Sequence, residues 1–134
     1  MNRSGVFIVP RPEGKCVLVY GMATFGMLVE VDSVVMTLEQ LSDFTTEIDG
    51  ALLMETAGKL SDNWHVHETQ YGIEYDGTGA WWLRIGDTMQ ACDSEYITGM
   101  VKMIRQYLDT QMVTESNATE ALKALKDAYQ PEGA

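Results

Sequence analysis

The chain has 134 residues, of which 20 are acidic and 9 are Lys or Arg, giving a formal net charge of −11. A chain of this length forms one domain that buries roughly two-thirds of its unfolded surface. Its 46% apolar content excludes a disordered chain, and its apolar runs are shorter than the roughly 20 residues of a membrane span. The charge argues against nucleic acid as a partner, because phosphates require a basic surface.

Acidic side chains are concentrated in the first half of the chain. From Cys16 to Gly58 there are seven of them and no Lys or Arg. Such a region attracts a basic protein surface through long-range forces that salt screens; alternatively, the charge only keeps a small domain soluble. The segment after Met1 is too short and too β-like for a signal peptide, so a cytoplasmic protein is expected. Cys16 and Cys92 are expected to be unpaired thiols.

The first forty residues predict a three-stranded antiparallel meander. The runs GVFIV and KCVLVYG are apolar and β-branched, and the turn sequence PRPEG separates them. In the third run, GMLVEVDSVVM, the alternation places Val29, Val31 and Val35 on one face of a strand and Glu30 and Asp32 on the other.

The link YGMATFGM, between the second and third strands, contains an aromatic-Gly-Met unit twice. Methionine side chains repack easily, so Met22, Phe25 and Met27 are candidates for an adaptable partner-binding surface. The alternative is that they are ordinary loop and core residues.

A helix is predicted after Thr37, because Thr37 and Gln40 match a capping box. Behind it, apolar residues recur at helical spacing and form one stripe: Leu38, Leu41, Phe44, Ile48 and Leu52. Nearly opposite, at four-residue steps, lie three acidic residues that are candidate partner contacts: Glu39, Asp43 and Glu47. Their mutual repulsion is tolerable on a solvated face, and a basic partner would convert it into attraction. Asp49 and the following glycine are a possible helix end, which leaves residues 51–60 open between helix and strand.

The clearest local pattern is the hairpin ETQYGIEYDGTGAWWLRIGD, with its turn at DGTG. A three-residue loop at 77–79 predicts an apolar face made of three cross-strand pairs: Tyr75–Trp81, Ile73–Leu83 and Tyr71–Ile85. A one-residue slip would bury Arg84 among aromatic residues, so the alternation itself selects this register. The other face carries Glu74 opposite Trp82 and Gly72 opposite Arg84. Of these residues, Glu74, Trp82 and Arg84 are candidate partner contacts. Packing of Trp82 under a helix is the alternative.

Two helices are predicted after the hairpin. Asp93 or Ser94 caps the first, and its core stripe has helical spacing: Ile97, Met100, Val101, Ile104 and Leu108. A polar stretch near Thr114 follows. A second capping box at 117–120 then opens a short helix that Pro131 ends.

His65 and His67 are the two histidines of the chain and lie one residue apart. On a strand they point to the same side, which suits two ligands of a zinc ion, but further ligands must come from a cysteine or carboxylate elsewhere. Catalysis needs a reacting group and an orienting partner, and the familiar serine, zinc and phosphate-binding motifs are missing from the sequence. If one strand runs from Trp64, both histidines share the apolar side with Tyr71. A half-buried structural pair is therefore the expectation, and metal binding the alternative.

Three segments resemble the class I type III secretion chaperones. ALLMETAGKLSDNW resembles the family's helix that ends just before the fourth strand. YGIEYDGTGAWWLRIGD resembles its fourth strand, acidic turn and fifth strand, and SEYITGMVKMIRQYL resembles its final amphipathic helix. The resemblance spans roughly residues 5–112; the family's N-terminal helix is missing and a C-terminal tail is added. It implies a non-catalytic homodimer that holds an extended segment of its partner against its sheet by β-augmentation.

Together these patterns predict a single α+β domain in which an antiparallel sheet of about five strands, a three-stranded meander plus a hairpin, is packed by two to three helices. The core covers about 5–112, and 113–134 form a helical tail. The first hypothesis is a non-catalytic, chaperone-like or adaptor protein that binds a protein partner and needs no cofactor. The alternatives are an acidic inhibitor of a basic nucleic-acid-handling protein, as in phage or plasmid accessory factors, and a small metal-dependent enzyme using His65 and His67.

Overall fold

The computed structural model describes the backbone of residues 3–129 and the side chains of residues 4–111. Within this part of the chain, seven strands and two helices follow in this order: β1 (Arg3–Arg11), β2 (Lys15–Thr24), β3 (Met27–Thr37), α1 (Leu38–Thr56), β4 (His65–His67), β5 (Tyr71–Tyr75), β6 (Ala80–Ile85), β7 (Thr88–Asp93) and α2 (Ser94–Tyr129). The strands form two antiparallel sheets, β1-β2-β3 and β4-β5-β6-β7. The predicted α+β class is confirmed, whereas two sheets replace the single sheet of about five strands.

The inner faces of both sheets and one stripe of each helix share a single core. Trp81 is its largest fully buried side chain. The Trp81 indole N–H donates to Ser94 Oγ at 3.0 Å, and the Ser94 hydroxyl donates to the Glu55 carboxylate at 2.6 Å. The rings of Trp64 and Tyr75 pack against Trp81 with centroid distances of 5.8 and 4.8 Å. This network ties β6 to the start of α2 and the end of α1.

Helix α1 begins as predicted. Gln40 N–H donates to Thr37 Oγ1 and Thr37 N–H donates to Gln40 Oε1, so both bonds of the capping box are present. The possible end at Asp49 is not observed, and the open segment 51–60 is helical as far as Thr56. Ala51 is only 3% exposed and belongs to the core. Its packing offsets the glycine before it, which destabilises a helix by about 1 kcal/mol relative to alanine, so the helix continues past this position.

The hairpin of β5 and β6 has the predicted register. Tyr71, Ile73 and Tyr75 lie opposite Ile85, Leu83 and Trp81, as expected from the alternation. Strand β7, which pairs with β6, was not predicted, because TMQACD has little β-branched character. Its pairing depends on the tight turn after β6, where Gly86 has a φ of +60°.

Helix α2 is continuous through the predicted break near Thr114. Asp93 caps it, since its carboxylate accepts the Tyr96 N–H at 2.8 Å, and the predicted core stripe is buried. The side chains of the second capping box at 117–120, and the proline at 131, lie outside the described part of the chain. Over the described residues, neither helix combines the length and the apolar character needed to cross a membrane.

A bulge in β3 overturns the predicted alternation of that strand. The β2–β3 register shifts between Tyr20 and Gly21. Tyr20 pairs with Asp32 and Gly21 pairs with Glu30, so Val31 has no opposite residue. Such a bulge reverses which face the side chains occupy on either side of it. Val29 therefore shares the inner face with Asp32, and Glu30 shares the outer face with Val35, contrary to the predicted separation of valines from acids.

Candidate protein-binding surface

Exposed apolar side chains are concentrated on the three-stranded sheet. Of the thirteen large hydrophobic residues that are exposed among the described residues, eight belong to β1, β2, β3 or the turn between β2 and β3. Six of the eight lie in the segment 21–31, which we call the hairpin arm: Met22, Phe25, Met27, Leu28, Val29 and Val31. The arm thus brings together the three predicted contact residues, Met22, Phe25 and Met27, and adds three that sequence reasoning missed.

The arm extends beyond the part of the sheet that the helices cover. On the inner face of the sheet, Leu18 and Val34 are buried in the core. One pair further on is Tyr20–Asp32, and beyond it the directly opposed Met22 and Val29 are 39% and 48% exposed. The inner face of the arm is therefore apolar without being part of the core.

Phe25 occupies a strained position at the tip of the arm. It is 89% exposed, and its φ is +49°, followed by Gly26 at +76°. Two-residue hairpin turns with two positive φ values favour Asn or Gly at the first position, since a left-handed backbone costs other L-residues about 1–2 kcal/mol. A phenylalanine that is almost fully exposed therefore stands where a small polar residue would stabilise the monomer.

Gly21 fixes where the arm begins. A Cβ atom at this position would lie 2.5 Å from the Val29 carbonyl oxygen and 3.3 Å from the Leu28 side chain. Only glycine permits this close approach of the two backbones at the bulge. The glycine is visible in the sequence, but the reason why position 21 requires it becomes clear only from the pairing of β2 with β3.

The predicted acidic residues of α1 lie on its exposed side. Asp43 and Glu47 line an open cleft of about 260 Å³ together with Glu68, whose participation was not predicted; Glu39 does not line the cleft. Tyr71 also lines it, and its pKa is raised, first by burial and then by these three carboxylates. The cleft is thus a second feature of the surface, with a negative potential.

The third predicted group lies on the outer face of β6. Trp82 is 37% exposed and sits directly opposite Glu74, rather than under a helix. Arg84 is used within the fold: its guanidinium donates to four backbone carbonyls, those of Glu68, Thr69, Tyr71 and Gly86. The nine predicted contact residues thus belong to three separate places, and Arg84 orders turns at the edge of its sheet.

The histidines are exposed, which corrects the expectation of a half-buried pair. A turn at 68–70 separates β4 from β5, so His65 pairs with Glu74 and His67 with Gly72, on the outer face. The two imidazoles stack at 4.3 Å, His65 Nδ1 donates to the Asn63 carbonyl at 2.8 Å, and His67 Nε2 lies 3.7 Å from Glu74 Oε2. Among the side chains that the structure describes, no group of three or more His, Cys, Asp or Glu could hold a metal ion.

The two cysteines are free thiols, as predicted. Burial raises the pKa of both, and the pKa of Cys92 reaches about 11 because Asp93 adds its charge to the effect of burial. A thiol with so high a pKa is a poor nucleophile at neutral pH.

Comparison of the chain with protein-family models, with curated proteins and with solved structures found no match. The resemblance to the class I type III secretion chaperones therefore stays a prediction.

Proposed function

We propose that this protein is a non-catalytic, chaperone-like or adaptor module that binds a protein partner through the hairpin arm. Phe25 carries the proposal. A bulky aromatic residue that strains the turn and is 89% exposed is accounted for by a gain elsewhere. Buried aromatic anchors supply a large part of the energy at protein interfaces.

The geometry of the arm favours an extended segment as the bound part of the partner. Within the described residues, β3 pairs only with β2, so its other edge is open along Met27–Val31. An open edge offers backbone donors and acceptors to an added strand. Met22, Met27 and Val29 beside this edge would give apolar contacts to alternate side chains of that strand, which is how β-augmentation gains specificity.

Site-specific photo-crosslinking in the native host tests the proposal. A benzoylphenylalanine residue at position 25 should form one dominant adduct with a protein, because the side chain lies at the proposed contact. The same probe at Thr46, an exposed position on α1, should not form that adduct. Identical adducts at both positions, or none at position 25, would contradict docking through the arm.

Calorimetry with the purified partner then measures the role of the anchor. Phe25→Asn should weaken binding about tenfold or more, as expected for an interface anchor. Leu53→Asn is the matched control, because Leu53 is also an exposed apolar residue, 69% exposed, but lies on α1. Equal losses for the two variants would show that the arm has no special role.

The acidic inhibitor is the second candidate, and the convergence of Asp43, Glu47 and Glu68 on one cleft favours it. In that case the partner is a basic, folded protein, and the affinity falls steeply with salt. Changing Glu39, Asp43 and Glu47 together to Lys should then abolish binding and flatten the salt dependence, while Phe25→Asn should have little effect. The opposite pattern is expected for docking through the arm.

A further inference from the structure

The row of residues at the base of the hairpin arm is held at both of its ends. Cross-strand pairing places Val6, Tyr20 and Asp32 side by side, immediately before the bulge at which the arm begins. At the β1 end of this row, the Val6 N–H donates to the hydroxyl of Tyr96 on α2 at 2.7 Å. At the β3 end, the Asp32 carboxylate accepts two hydrogen bonds from the residues that join β6 to β7. The row is therefore fastened to α2 at one edge and to the four-stranded sheet at the other.

Both carboxylate oxygens of Asp32 accept hydrogen bonds at this junction. Oδ2 accepts the Asp87 N–H and the Thr88 hydroxyl, and Oδ1 accepts the Ser33 N–H, all at 2.9 Å. Gly86 leaves the space for this contact, because a Cβ atom at that position would lie 2.2 Å from Asp32 Oδ1. Hydrogen bonds to an ionised carboxylate are stronger than those between neutral groups. The turn between β6 and β7 thus holds the Asp32 side chain in one orientation.

The arm beyond this row is a lever that can bend at its base. The bulge at Val31 interrupts the β2–β3 ladder next to Gly21, and both a bulge and a glycine weaken a strand locally. From Tyr20 to Phe25, the extended chain spans about 17 Å. A tilt of about 15° at the bulge would move the tip by about 4 Å, the distance over which two apolar side chains keep or lose contact. The direction of the arm therefore depends on how firmly its base is held.

We propose that Asp32 and Tyr96 are positioning residues for the hairpin arm: they clamp both ends of the row at its base and thereby fix the direction in which the arm presents its tip. The clamp is a property of the free protein, whereas its importance for binding rests on the proposed function of the arm. A binding element that is already held in its bound direction loses less conformational entropy on association. The two residues therefore favour partner binding through the backbone of β1 and β3.

Residual dipolar couplings of the free, full-length chain test the clamp without a partner. In the wild type, one alignment tensor should fit the backbone amides of 22–29 together with those of the four-stranded sheet. Asp32→Asn keeps the shape of the side chain but removes its charge, and Tyr96→Phe removes only the hydroxyl. In each variant the couplings of 22–29 should be scaled down relative to those of the four-stranded sheet. A single tensor that still fits the whole of both variants would overturn the proposal.

A variant on the opposite side of the contact separates positioning from a general loss of stability. Gly86→Ala should displace the Asp32 carboxylate and reduce the couplings of the arm, although it changes neither clamping residue. Gly14→Ala is the matched control, because Gly14 has a similar φ, +70° against +60°, but a Cβ atom there meets nothing within 4 Å. Both variants strain a left-handed backbone. Equal arm couplings in the two variants would contradict the role of Asp32.

Calorimetry with the purified partner then measures what the clamp contributes to binding. Asp32→Asn and Tyr96→Phe should each weaken binding about three- to tenfold, because the free arm then occupies the binding direction for only part of the time. Unchanged affinity in both variants, combined with a loss for Phe25→Asn, would show that the arm binds without being positioned, and would overturn the proposal. If Phe25→Asn has no effect, the proposed function fails, and the dipolar couplings of the free protein still decide whether the clamp exists.

Discussion

The four-stranded and the three-stranded sheets contribute to one core, but they place their remaining side chains differently. In the four-stranded sheet, Ile73, Leu83 and Ile85 are buried, while alternate positions such as Glu74 and Arg84 are polar. In the three-stranded sheet, apolar residues occupy both faces and continue into the arm. The first sheet has the composition that folding requires, whereas the second has more apolar surface than the monomer can bury.

This difference identifies the candidate interaction surface. Surface hydrophobic residues scattered singly are normal, but a contiguous exposed patch indicates an interaction surface. The patch here also contains a strained turn at Phe25 and an edge strand that is open along Met27–Val31. Composition, backbone conformation and topology thus point to the same part of the molecule.

The largest expected effect separates the two faces of β6. Trp81→Ala should lower the free energy of unfolding by about 3–5 kcal/mol, as for other large buried aromatic residues, because Trp81 is fully buried. Trp82→Ala, one position later on the outer face, should change it by less than about 1 kcal/mol. Urea unfolding followed by circular dichroism measures both. Similar losses would mean that the outer face also has a packing role.

A smaller loss is expected where the outer face of β6 supports the turns. Arg84→Met should destabilise the fold by about 1–3 kcal/mol, since four carbonyls lose a charged donor. The backbone amides of residues 68–71 should exchange their hydrogens faster in the variant than in the wild type. Arg84→Lys is the control: a lysine keeps the charge but not the planar fork, so it should restore little. Full recovery with lysine would show that charge alone suffices.

Asp32 makes a polar link between the two sheets. Its carboxylate accepts the Asp87 N–H and the Thr88 hydroxyl, both at 2.9 Å. The pKa of Asp32 is lowered, first by the Thr88 hydroxyl and then by the backbone N–H groups of Asp87 and Ser33. The link should therefore stabilise the fold fully above the unfolded-state pKa of about 4, and this contribution should disappear as the pH falls through the lower folded-state value.

Asp32→Asn should accordingly lower the urea midpoint at neutral pH, and by less than Arg84→Met because the site is at the surface. The difference between the wild type and the variant should narrow as the pH falls below about 4. Asp76→Asn is the control: the pKa of Asp76 is also lowered, mainly by bonds from Thr78, but these bonds stay within one turn. A gap for Asp32→Asn that stays constant with pH would contradict a role for the ionised carboxylate.

Local alternation was enough to predict several parts of the fold. In the β5–β6 hairpin, a register shifted by one residue would place Arg84 on the aromatic face. The alternation of apolar and polar residues was therefore enough to predict the observed register. The capping box at Thr37 and the core stripes of both helices were predictable for the same reason, because each depends on residues close in sequence. Met22, Phe25 and Met27 were predicted as partner contacts from their composition alone, and the structure places all three at exposed positions.

Features that depend on long-range pairing were not predictable. The bulge at Val31 inserts one residue and exchanges the faces of Val29 and Glu30, and nothing within β3 itself encodes it. Likewise, the turn at 68–70 moved His65 and His67 to the outer face, because it interrupted a strand that the alternation had treated as continuous.

The smallest expected effect, and the one of opposite sign, concerns the tip of the arm. Phe25→Asn should raise the free energy of unfolding by about 1 kcal/mol, because asparagine tolerates a φ of +49° better than phenylalanine. Phe25→Ala is the control: it removes the ring but keeps an L-residue that disfavours this conformation, so it should give no comparable gain. Urea midpoints of the three proteins measure the difference. If both variants were less stable than the wild type, the ring of Phe25 would be packing within the monomer; a gain for asparagine alone would identify a residue that destabilises its own fold at the tip of an exposed apolar arm.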